Sequence, residues 1–114
     1  MVVVNSAQEY ELSVDELHEK RKSGESLTLL DIRKPAERDL VALEDDLFIP
    51  MGELPEHVEE LEDQEEPIVV YCHHGVRSLQ AAQYLHDQGL QNVFSLAGGI
   101  DAWARKIDTD LPTY

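Results

Sequence analysis

The chain has a single cysteine, Cys72, among its 114 residues, so no internal disulfide can staple it and packing alone must hold the fold. In a reducing compartment such a thiol stays free. Basic residues are scarce: nine Lys and Arg stand against 24 Asp and Glu, a net charge of −15. A surface of that sign repels nucleic acid and anionic membranes. The amino terminus, MVVVNSAQEY, has only three consecutive valines and no basic segment before them, which fits neither a signal peptide nor a membrane span. The expectation is a soluble, cytoplasmic protein. The length is too short for two ordinary domains, and no repeat, linker or low-complexity segment divides the chain. We expect one domain over residues 1–114, with a core over 10–106 and an extended tail over 107–114.

What the chain does have is acid in a block. Val41 to Pro67 holds eleven Asp and Glu, and no Lys or Arg. Such a block reads as a solvated face that aids solubility, with a docking patch for a basic partner as the alternative.

The apolar pattern alternates strands with helices. Ser13 and Glu16 have capping-box spacing, with Leu12 and Leu17 as a hydrophobic staple, so a helix starts here and ends near Lys22-Ser23-Gly24. Leu27 to Ile32 is a near-continuous apolar run, as a strand buried on both faces should be. Arg33 to Asp39 is a polar turn or short helix with Pro35 early in it, and Leu47 to Ile49 is a short strand stopped by Pro50. Pro55 opens a helix through Leu61, with Leu54, Val58 and Leu61 on one face. Ile68 to Tyr71 and Val93 to Leu96 are further strands; Ser78 to Gln88 and Gly99 to Lys106 are helices, the first inward on Leu79, Ala82 and Leu85. This alternation implies an α/β fold, a parallel sheet covered on both faces and joined by right-handed crossovers.

Cys72 falls where such a sheet displays a nucleophile. The segment Ile68-Val69-Val70-Tyr71-Cys72-His73-His74-Gly75-Val76-Arg77-Ser78 runs from a strand through a short loop into a helix. A loop of this kind turns backbone N–H groups inward, and the helix N-terminus adds partial positive charge. Both stabilise the thiolate, the reactive form of cysteine. Arg77, His73 and His74 add donors for an anion.

CHHGVRS after IVVY resembles the active-site loop of the rhodaneses, the thiosulfate sulfurtransferases. Three further segments are similar to that family in order: Leu29-Leu30-Asp31-Ile32-Arg33-Lys34-Pro35-Ala36-Glu37, Ile49-Pro50 with Gly52-Glu53-Leu54, and Leu96-Ala97-Gly98-Gly99-Ile100-Asp101-Ala102-Trp103. The resemblance implies a three-layer α/β/α sandwich with a five-stranded parallel sheet in the order 3-2-4-5-1, Tyr10 to Leu12 forming the short first strand. It implies that Cys72 attacks a sulfane sulfur, as in thiosulfate, and carries it as a persulfide to a thiol, cyanide or a sulfur-accepting protein, thioredoxin-like proteins among the candidates. The implied binding residues are His73, His74, Gly75, Val76, Arg77 and Ser78, with loop amides on the terminal sulfur and His74 and Arg77 on the sulfonate. No metal or organic cofactor is implied. Because charges more than about 10 Å apart are largely screened, the loop itself must supply the positive pocket that an anionic donor needs on so acidic a chain.

Three other readings compete. Dual-specificity phosphatases of the cell-cycle type share this fold, and they and arsenate reductases could use Cys72. The phosphatase signature, however, has one residue more between cysteine and arginine than the four found here, His73 to Val76, and the tighter ring suits a sulfur atom better than a phosphate. Non-catalytic rhodanese-like modules usually lack the cysteine. A metal on Cys72, His73 and His74 is set aside, since consecutive residues do not easily wrap one ion and no second ligand cluster stands out. The chain also lacks the family's Gly-His-Ile after the DIR segment, so Asp31 and Arg33 are read as structural ties. Gly98, Gly99 and Trp103 are read as architecture.

Overall fold

The computed structural model describes residues 10–114; the reading of the amino terminus as neither signal nor span lies outside them, apart from Tyr10. The element order is β1 (Glu11–Leu12), α1 (Val14–Lys22), β2 (Thr28–Asp31), α2 (Pro35–Leu40), β3 (Asp46–Phe48), a 3-10 helix (Met51–His57), α3 (Val58–Glu62), β4 (Ile68–Tyr71), α4 (Val76–Asp87), β5 (Val93–Leu96) and α5 (Gly99–Lys106). The five strands form one sheet in the order β1-β5-β4-β2-β3, and every pair is parallel. The expected order is found. Among the described residues no helix is long and apolar enough to cross a membrane.

Alternation along the central strands divides the core between two faces. Leu30, Ile68, Val70 and Cys72 point to one side, where they pack with Leu54 and Leu61 and with Ala81, Ala82 and Leu85 of α4. Leu29, Val69 and Tyr71 point to the other, against Leu17 of α1 and Ile100 and Trp103 of α5. Enclosing each large aliphatic side chain stabilises the fold by about 2 kcal/mol. Cys72 thus directly follows a fully buried strand, at the sheet's carboxyl edge, where ligands bind in open α/β folds.

Local chemistry sets the element ends. Ser13 Oγ accepts from the Glu16 amide at 3.0 Å, and Glu16 Oε1 accepts from the Ser13 amide at 3.0 Å, closing the capping box. α4 starts at Val76, earlier than expected, and its buried face carries Ser78 and Ala81 beside Ala82 and Leu85, while Leu79 is only half-buried. Pro55 does not open an α-helix; it lies inside the 3-10 helix, and the α-helical turns begin at Val58. The tail is not extended either. It turns after α5, with Leu111 donating its amide to the Asp108 carbonyl at 3.1 Å, and brings Tyr114 back against the loop that follows β4.

The ends of β2, β3 and β4 are tied by a buried charge network. Arg33, fully buried, donates to both carboxylate oxygens of Asp31 at 2.8 and 2.9 Å and to the Val41 carbonyl at 2.7 Å. Arg38 bridges Asp31 and Asp46, and the Tyr71 hydroxyl donates to Asp46 at 2.6 Å. Burial opposes the Arg33 charge, but hydrogen bonds with Asp31 and Tyr114 outweigh it and raise its pKa. The structural reading of Asp31 and Arg33 fits this geometry. Asp46, counted with the acidic face, has a side chain only 3% exposed and belongs to the network instead.

Candidate active site

The loop after β4 is shaped by two glycine contacts. Gly75 has φ +97°, and a Cβ on it would stand 2.9 Å from the Gly98 amide nitrogen. Gly99 has φ +62°, and a Cβ there would collide with the carbonyls of Cys72 and His73. Neither position admits another residue without moving the loop. The close approach lets the first turn of α5 hold the loop: Ile100 donates its amide to the Cys72 carbonyl at 2.9 Å, and Asp101 donates to the His73 carbonyl at 3.0 Å. Two carbonyls are thereby turned outward, which leaves amides to face inward.

Those amides converge on sulfur. Cys72 Sγ accepts from the Gly75 amide at 3.1 Å and the Ser78 amide at 3.4 Å, and it lies 3.4 Å from Ser78 Oγ. Ser78 Oγ is in turn 2.7 Å from Ser95 Oγ of β5. Cys72 is only 1% exposed, and Ser78 and Ser95 are fully buried. The sulfur is thus enclosed by two backbone N–H donors and a hydroxyl.

The remaining expected residues divide. His73 and His74 lie together, ring centroids 3.8 Å apart, His74 exposed and His73 half-buried. Val76, the first residue of α4, is 67% exposed. Arg77 does not point freely at the sulfur: it makes a two-pronged ion pair with Glu37 of α2, at 2.7 and 2.9 Å. Arg77 and, more weakly, the Tyr114 hydroxyl hold the Glu37 carboxyl at about 2, from an ordinary 4.5. Glu37 in turn raises the pKa of Arg77.

Three residues that the sequence did not single out complete the surroundings. Ser95 signals itself weakly, as the one hydroxyl in the apolar strand Val93–Leu96. Glu37 lies in a segment matched to the family, but nothing in its spacing shows that it would clamp Arg77. Tyr114 has no local signal at all. Its ring stacks on His73 at 3.8 Å and 7°, and its hydroxyl donates to Glu37 at 2.7 Å while accepting from Arg33 at 2.9 Å.

Fold and loop together define an α/β protein with a cysteine ringed by backbone amides at the carboxyl edge of its sheet. The family model for the rhodanese-like domain matches residues 13–106, and the chain belongs to that family. It is 39% identical over 95 residues to a protein of Allochromatium vinosum named sulfurtransferase, covering 83% of this chain and 88% of that one. It is 35% identical over 77 residues to the thiosulfate sulfurtransferase GlpE of Coxiella burnetii, covering 68% of this chain and 71% of the relative. Among solved structures, a rhodanese-related protein from Thermoplasma volcanium superposes with a TM-score of 0.74 at 30% identity, covering 85% of this chain and 92% of the other.

Proposed function

We propose that this protein is a sulfurtransferase that moves a sulfane sulfur through a persulfide on Cys72. The observation that carries the reading is the ring of donors on Sγ, the Gly75 and Ser78 amides at 3.1 and 3.4 Å, in a loop with four residues between cysteine and arginine. The sulfurtransferase names of its relatives from Allochromatium vinosum and Coxiella burnetii support it. In the first half-reaction the Cys72 thiolate attacks the outer sulfur of thiosulfate; the S–S bond breaks, and sulfite leaves with the electron pair. In the second, a nucleophilic acceptor attacks the terminal sulfur and the Cys72 thiolate departs. With cyanide the product is thiocyanate; with a thiol or an acceptor protein it is a new persulfide.

Each loop residue has a task in this scheme. The amides stabilise the terminal sulfur as negative charge settles on it, and Ser78, anchored by Ser95, fixes the orientation of Sγ. His74 is exposed at the rim and meets the sulfonate end of the donor. Arg77 contributes positive charge while Glu37 limits where its guanidinium can swing. A phosphatase reading fits less well, because the ring is one residue shorter than the phosphatase signature and Arg77 is already paired.

The test is a thiosulfate assay with cyanide as acceptor, beside an aryl-phosphate assay, on wild type and Cys72→Ser. Thiocyanate formed by wild type and lost in the variant is expected. Phosphate release by wild type without thiocyanate would overturn the reading.

A further inference from the structure

Taken as neighbours in sequence, His73 and His74 are poor company for a metal ion, and the fold supplies what they lack. The first turn of α5 carries Asp101 to them: its backbone amide bonds the His73 carbonyl at 3.0 Å, and one ligand atom from each of His73, His74 and Asp101 lies within 4.8 Å of the others. We propose that these three residues form a binding site for a divalent transition ion of the zinc class at the rim of the cysteine loop.

Four observations support it. Ligand atoms sharing a zinc ion at bond lengths of about 2.1 Å can stand no more than about 4.2 Å apart. The observed set lies close to that limit, and the exposed His74, whose ring now lies over His73 at 3.8 Å and 32°, has to turn so that its in-plane nitrogen meets the same point. His73 Nε2 is buried and has no hydrogen-bond partner among the described residues, so that ring has an unused polar atom. Tyr114 covers the face of the His73 ring, stacked at 3.8 Å and 7°, whereas a metal binds in the ring plane. Asp101 is oriented by Arg105, which donates to one carboxylate oxygen at 3.0 Å and leaves the other available, as an outer-shell partner does for a metal ligand.

The donor set chooses the ion. Two imidazoles and one carboxylate suit zinc, cobalt, nickel or copper, while magnesium and calcium prefer all-oxygen sets. Three protein ligands leave a position open to water or an anion. Cys72 is not a member of the cluster; its sulfur is turned into the loop, toward the amides of Gly75 and Ser78. The site is therefore separate from the nucleophile, although it borders it in sequence.

Cobalt supplies the probe. The full chain is titrated with Co²⁺ and followed by its visible absorption, zinc is then added in competition, and circular dichroism verifies that each variant is folded. Wild type is expected to bind a single equivalent with a tetrahedral or five-coordinate spectrum that zinc removes. D101N and H74A are expected to weaken cobalt binding by roughly tenfold or more, at least the loss seen when a mere outer-shell partner is removed. Cys72→Ser and H57A should bind as wild type does. Absence of binding by wild type, equal binding by D101N, or a near-ultraviolet thiolate band that disappears with Cys72→Ser would each overturn the proposal. Because the readout is binding, its failure leaves the sulfurtransferase reading untouched, and the reverse also holds.

Discussion

Cys72, the nucleophile of the proposed reaction, is enclosed: 1% of its surface meets solvent, and the half-buried His73 beside it is roofed by the Tyr114 ring. Opening that roof should expose the thiol. Tyr114→Ala is expected to raise the rate of Cys72 alkylation by iodoacetamide several-fold, whereas Tyr114→Phe, which retains the ring, should stay near wild type; equal rates in all three would show that the tail gives no shelter. A second expectation concerns the donors. His74→Ala and Arg77→Ala should lower kcat/KM for thiosulfate more than they slow alkylation by a neutral reagent, since only the former places negative charge at the rim. Equal losses with both reagents would mean that the two side chains merely support the loop. Ser95→Ala removes the 2.7 Å partner of Ser78 Oγ, which should cost about 1 kcal/mol of stability and loosen the hydroxyl beside sulfur.

Among the elements, the contact between the α5 start and the cysteine loop matters most for the site. It depends on Gly99, where a side chain would meet two carbonyls while φ is +62°. Gly99→Ala is expected to destabilise the protein by at least about 2 kcal/mol and to reduce sulfur transfer beyond what the loss of folded protein explains, as measured by thermal unfolding alongside the cyanide assay. Unchanged activity in the folded fraction would mean that the loop does not need this anchor. β4, β5, α5 and the α1 cap were legible because their signals are local: IVVY has no polar residue to turn outward, and Ser13 and Glu16 need only each other. Leu54 and Val58 suggested one helix, yet the chain makes a 3-10 helix that carries Pro55, because proline lacks the donor an α-helical interior would use. The site split in the same way. The ring of amides follows from strand, loop and helix in succession, but the Glu37 clamp on Arg77 and the return of Tyr114 to His73 join residues far apart in sequence, and no periodicity encodes them.

At the scale of the whole molecule, charge sets the working conditions. Glu37 ties α2, the loop and the tail together, and its folded value of about 2 lies below the ordinary 4.5. A carboxylate so depressed stabilises the fold fully above pH 4.5, and that contribution is lost as the pH falls toward 2. Glu37→Gln should accordingly flatten the acid limb of a stability profile between those limits; an unchanged limb would place the acid sensitivity elsewhere. The net charge of −15 repels an anionic donor at long range, while the loop amides attract it only at contact. Raising salt from low to moderate screens the first more than the second, so kcat/KM for thiosulfate is expected to rise, and a fall would mean that long-range attraction dominates.

The persulfide on Cys72 is tested most directly by intact-mass spectrometry of the protein after incubation with thiosulfate and removal of excess reagent. Wild type should gain the mass of a single sulfur atom, lose it on addition of cyanide, and carry it on the peptide that contains Cys72, while Cys72→Ser gains nothing. A folded wild-type protein that never acquires the adduct, or one that acquires it equally in Cys72→Ser, would contradict a cysteine-borne sulfur transfer.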